Sequence, residues 1–157
     1  MVTLYLSSRQ GLTKTFSIPC TVSFFIFKMN YLNFQLLIKE EIKTIAENIC
    51  NDNTNWEDGK KTAGSHASKV KNNLQLDRES AISRKYSQLI KEKILTNPLI
   101  KSFALPKKIH GIMFTKSNKN MKYGRHIDNP FMPYGRSDLS FTICLSNKKK
   151  YQGGELI

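Results

Sequence analysis

The chain has 157 residues, with 25 Lys+Arg against 12 Asp+Glu for a formal charge of +13. That length fits one domain able to bury about 70% of its unfolded surface. Three distant cysteines, Cys20, Cys50 and Cys144, with no CxxC pair, suggest neither a disulfide framework nor a zinc ribbon, and a reducing cytoplasm is the simplest compartment. The charge would attract nucleic acid, an anionic membrane or an acidic substrate. It names none of them, because the basic residues are spread along the chain among abundant Asn and Ile, as in genes rich in AT codons.

Residues 1–28 contain no acid and end in the apolar run Cys20–Phe27, too short to span a bilayer and followed by no small-x-small cleavage site. Met29 opens a segment of different character, so residues 1–28 are expected to be a non-native upstream extension, and no membrane partner is expected. A membrane-targeting segment is the alternative.

From Asn33, the residues Phe34, Leu37, Ile38, Ile42, Ile45 and Ile49 recur at three- and four-residue steps with charges between them. This spacing predicts an amphipathic helix ending near Asn51-Asp52-Asn53. The stretch NWEDGKKTAGSHASKVKNN has no helical period and reads as a long loop, with room for one short strand. Asp77 or Ser80 then caps a second helix bearing Ile82, Tyr86, Leu89, Ile90 and Ile94 on one face, closed by Pro98. After Leu105-Pro106, strands are expected at 109–114, 123–128, 139–146 and 154–157. The layout is helical over 29–105 and antiparallel β over 106–157, an α+β, mainly β arrangement.

Within YGRHIDNPFMPYGRSDLS, His126 and Asp128 stand two apart. On a strand such residues point the same way, so both could touch one ion. Imidazole plus carboxylate is two thirds of the facial triad that holds non-haem Fe(II). Alone, H-x-D is a weak signal, and an exposed histidine in a polar hairpin explains it equally simply.

The context carries more. YGRHIDN, GRSDLSFTICLS and KKKYQGGELI, preceded in order by WEDGKKTAGSHASKVKNNLQLD, strongly resemble the PKHD-type hydroxylases, iron(II)- and 2-oxoglutarate-dependent dioxygenases of the prolyl-4-hydroxylase-like group, over roughly residues 31–157. The resemblance implies part of a double-stranded β-helix, a jelly roll, in 106–157. It implies His126 and Asp128 as iron ligands, 2-oxoglutarate as co-substrate with Tyr123 beside it, L-ascorbate dependence, and O2 acting on a peptidyl or amino-acid-like C–H bond. A homodimer is compatible with it, and no specific nucleic acid is expected. Lys71, Asn72 and Asn73 match the family's V-K-N-N element and are expected either to line the site or to brace its loop. Arg136 and Asp138 are expected to pair and hold the loop after the metal strand against the barrel, with substrate contact as the alternative role. Gly153 and Gly154 should turn the chain tightly, with Tyr151 packing at that corner. His66 and His110 do not match a ligand position.

Two departures stand against the pattern. Ser117 replaces the family's tyrosine some eleven residues before the metal aspartate, and the 29 residues after Asp128 contain no histidine. The third ligand and the basic residue that receives 2-oxoglutarate are therefore missing from the pattern. The chain is expected to be a truncated hydroxylase of doubtful activity. The rival readings are a small basic nucleic-acid-binding protein, using Tyr123, Phe131 and Tyr134 near Arg125 and Arg136 to stack on bases, and a non-catalytic remnant.

Overall fold

The larger sheet is built around β5, Pro106–Lys116, which is long enough to pair on both edges while the helix α2, Ala81–Thr96, packs against it. The computed structural model describes residues 2–8, 33–51, 53–124, 128, 130–132, 135–147 and 151–152. Among them are three α-helices and antiparallel sheets, a mixed α+β architecture in which no barrel closes.

The first helix, α1, spans Lys39–Ile49. Periodicity alone would start it at Asn33, but Glu41 reaches back and its Oε2 accepts the Ile38 amide at 3.0 Å, which sets the start. Residues 33–38 precede it as irregular chain, with Leu37 buried.

α2 spans Ala81–Thr96 and is capped as expected, Ser80 Oγ accepting from the Ser83 amide at 3.2 Å. Its buried residues Ser83, Tyr86, Ile90 and Ile94 fall at helical steps. Pro98 does more than end this helix: Asn97 Oδ1 accepts from the Ile100 amide at 3.0 Å and opens α3, Pro98–Ala104, with the proline in its first turn. Leu105 leaves that helix in the left-handed region at φ 44°. The Lys93 ammonium lies 2.6 Å from Glu41 and ties α2 to the start of α1. That contact, with the Ile38 amide second, holds the Glu41 carboxyl below the usual carboxylate range.

The larger sheet runs in the order β2-β4-β5-β1-β9. Its members are β1 (Val2–Ser8), β2 (Trp56–Asp58), β4 (Leu74–Leu76), β5 and β9 (Leu139–Ile143). Two small pairs accompany it, β3 (Lys71–Asn72) with β6 (Lys122–Tyr123) and β7 (Phe131–Met132) with β8 (Gly135–Arg136). The predicted loop 55–73 thus holds β2, two 3-10 turns and the whole of β3. The strand expected over 109–114 extends two to three residues further at each end, and that over 139–146 stops at Ile143. Of the strand expected over 123–128, Tyr123 is in β6, while residues 125–127 lie outside the described residues; so does the strand expected over 154–157. Residues 2–8, within the stretch expected to be a non-native upstream extension, form β1 and lie inside the sheet.

The core joins Leu37, Ile45 and Ile49 at the α1 end, Tyr86, Ile90 and Ile94 from α2, Ile100 and Ala104 from α3, and Leu76, Ile112, Phe114 and Leu145 from the strand region. No helix among the described residues is long and apolar enough to cross a membrane. Cys50 and Cys144 are free and exposed.

Ile90 is fully buried. Ile90→Ala is expected to destabilise the chain by roughly 2–5 kcal/mol, through lost burial and the cavity left behind. Chemical denaturation followed by circular dichroism checks it, against Leu95→Ala, an exposed residue on the same helix, which should cost well under half as much.

Candidate functional site

The short β3–β6 ladder brings the K-N-N element to the approach of the H-x-D pair. Lys71 pairs with Tyr123 and Asn72 with Lys122. One residue earlier, the Gly124 amide donates to the Val70 carbonyl at 2.9 Å, and a Cβ on Gly124 would press on the Val70 side chain. The chain therefore enters Arg125-His126 directly from a strand clamped against residues 70–72.

Lys71 is 3% exposed. Its ammonium sits 5.0 Å from the centre of the Tyr123 ring and 3.3 Å from Thr62 Oγ1. Thr62 Oγ1 donates to Gln75 Oε1 at 2.6 Å, and Gln75 Nε2 reaches Met113 Sδ at 3.4 Å. A polar chain thus runs from β3 through the first 3-10 turn to β4 and β5. Asp58 caps that turn by accepting the Lys60 amide at 2.8 Å. Gly59, buried behind it, gives its amide to the Asn73 carbonyl at 2.9 Å, and a Cβ there would collide with the Asn73 side-chain oxygen. Asn73 is itself buried, and its Oδ1 has no hydrogen-bond partner among the described residues. Asn72 points outward and is exposed. Thr62, Gln75, Gly59 and Met113 were missed by sequence reasoning. The signal available for three of them was their place inside the WEDG…T…Q segment.

Burial is the first cause pushing the Lys71 ammonium below the usual lysine range; the Arg78 cation adds to it and Asp58 opposes it. Burial likewise pushes the Tyr123 phenol up, with the Asp128 carboxylate adding to the shift. Asp128 is exposed and electrostatically linked to Tyr123. His126 lies outside the described residues, as do Gly153 and Gly154; Tyr151 is exposed. Among the described residues no three His, Cys, Asp or Glu side chains converge to hold a metal.

Beyond Asp128, Arg136 Nε donates to Asp138 Oδ1 at 2.6 Å, with Nη2 at 2.5 Å from the same oxygen. The Arg136 carbonyl meets His110 Nε2 of β5 at 3.0 Å, so the β7–β8 hairpin docks on β5 through His110. Gly135, at φ 135°, leaves room for the His110 ring. His66 is exposed in a turn.

The lowered Lys71 value carries a sign. Below it both folded and unfolded chains hold the proton; between it and the ordinary lysine value, about 10.4, only the unfolded chain does, so stability rises with pH across that window. In 15N-lysine spectra the Lys71 Nζ signal is expected to titrate at lower pH than those of exposed lysines. Lys71→Met should remove the matching rise in melting temperature.

The chain is 72% identical over 129 residues to a PKHD-type hydroxylase of Prochlorococcus marinus strain MIT 9312 and 71% identical over 129 residues to one of strain AS9601. It is 53% identical over 128 residues to one of strain NATL2A. Each match covers 82% of this chain and 58% of the relative, so the chain spans somewhat over half the length of the curated relatives it matches. No family model matches the chain. No solved structure matches it either. Identity of this order across most of its residues means that the chain belongs to the PKHD-type hydroxylases.

Proposed function

We propose that this chain carries the metal-binding half of an iron(II)- and 2-oxoglutarate-dependent dioxygenase, with His126 and Asp128 as two of the ligands and a jelly roll as the complete fold. The observation that supports it most is the placement of the H-x-D entry. Strand β6 is locked by backbone bonds to Val70-Lys71-Asn72, with the buried Lys71 against Tyr123 three residues before His126.

The donor chemistry fits such an ion. A neutral imidazole and a carboxylate are hard-to-borderline ligands suited to Fe(II), and the Asp128 side chain is exposed rather than locked in the core. Iron with 2-oxoglutarate and O2, when bound, supplies the hydroxylation of a C–H bond, with 2-oxoglutarate leaving as succinate and carbon dioxide. The protein's own part is positional. The raised phenol of Tyr123 keeps its proton at neutral pH and serves as a hydrogen-bond donor at the mouth of the site. Lys71 stiffens the β3–β6 strand pair that precedes His126 in sequence, and the Thr62–Gln75 chain anchors Lys71 in turn. The 29 residues after Asp128 contain no histidine to serve as a third ligand. The substrate is a peptidyl or amino-acid-like C–H compound, with L-ascorbate as the accompanying reductant.

Anaerobic calorimetry with Fe(II) on the chain as given is expected to show weak binding, lowered at least about tenfold by His126→Ala or Asp128→Ala. Succinate formation is expected to be undetectable for the chain alone. It should appear in a fusion carrying the remaining residues of the strain MIT 9312 relative, and fall to background when either substitution is made in that fusion. Succinate release at an unchanged rate by the His126→Ala fusion would refute the assignment.

A further inference from the structure

β1 is bonded on both edges. It runs antiparallel to β5 from Val2↔Phe114 to Ser8↔Pro106, and antiparallel to β9 from Val2↔Ile143 to Leu6↔Leu139. β5 and β9 therefore run parallel to one another with a single strand between them. Neighbouring strands lie about 4.8 Å apart, so the two are separated by roughly 9–10 Å, too far for direct backbone bonds. Among the described residues β9 pairs with β1.

We propose that the space between β5 and β9 is a strand-binding site. Its ligand is an extended peptide of five to seven residues, recognised through its backbone and running antiparallel to both walls, and Val2–Ser8 is its resident, tethered occupant. The recognition mode is β-augmentation closed on two sides. The register is continuous where it matters: Val2–Tyr5 pair without interruption against β5, and Val2–Leu6 against β9. Val2 and Leu4 take the register positions opposite the buried Phe114 and Ile112. VTLYLSS contains no proline, so every amide can donate, and its apolar residues alternate with polar ones through Leu6.

The β5 wall shows how the site communicates with its surroundings. Tyr5 pairs with Gly111 and Leu6 with Ile109, so His110 is passed over as a bulge, and it is His110 that holds the Arg136 carbonyl. β9 begins at Leu139, immediately after the Asp138 that Arg136 grips. The His110 contact of the segment following Asp128, and the Arg136–Asp138 pair at its end, thus border the strand-binding site. This inference does not depend on iron or on 2-oxoglutarate.

The test uses the full chain with Leu4→Pro, which removes one mid-strand amide donor. Hydrogen exchange is expected to speed up at least about tenfold for Leu139–Ile143 while α2 amides keep their protection. A synthetic peptide of residues 1–8 should restore the β9 protection, and the same peptide with Leu4→Pro should not. A milder pair of changes guards against loss of folding. In a background with Cys20, Cys50 and Cys144 replaced by serine, Thr3→Cys with Thr142→Cys should oxidise to an intramolecular disulfide, because the register sets those residues opposite. Unchanged exchange at β9, equal rescue by both peptides, or failure of the two cysteines to cross-link would each overturn the proposal.

Discussion

Covering Phe114 and Ile112 of β5 is the demand from which the rest of the architecture follows. These residues lie in the core that Ile90 and Ile94 of α2 complete, and a strand so covered can offer both its edges to pairing. On one edge, β4 connects it to the WEDG segment; on the other, β1 connects it to β9. The helices matter to function only through this. By holding β5 they fix Met113, which receives Gln75, and His110, which receives the hairpin after Asp128.

The helices were largely legible in the sequence because burial repeats along them with a fixed period. Ser80, Tyr86, Ile90 and Ile94 announce α2 without reference to anything distant. What local pattern could not foresee is where a competing bond wins. Glu41 capturing the Ile38 amide delays α1, and Asn97 capturing the Ile100 amide turns a proline that reads as a stop into the start of α3. Segment 55–73 reads as loop because its strands are two or three residues long, below the length at which alternation can be seen. β1 was illegible for another reason: its partners lie about a hundred positions away or more, and nothing in VTLYLSS points to Phe114 or Ile143.

The site was legible as a set of residues and much less so as a mechanism of support. Lys71 and Tyr123 can each be picked out by family resemblance, but that they face one another across a two-residue ladder emerges only when the chain is folded. The same holds for Gly59. As sequence it is one small residue among several in a polar stretch; in space the missing Cβ is what lets Asn73 lie flat behind the turn. A buried lysine with an aromatic face on one side and a hydroxyl on the other is an economical way to keep a short strand pair in register, since slippage by one residue would turn Lys71 to the exposed face and lose both contacts.

The position of β1 also sets a timetable. Val2 pairs with Ile143, so β1 leaves the ribosome long before this partner strand. At ~5–20 residues per second of synthesis, β1 waits roughly 7–30 s for β9. Contacts of such sequence separation are slow to form even after release. The helical layer and β4–β5 can assemble first from neighbouring segments, which leaves the edges of β1 open to pairing with other chains until β9 is made.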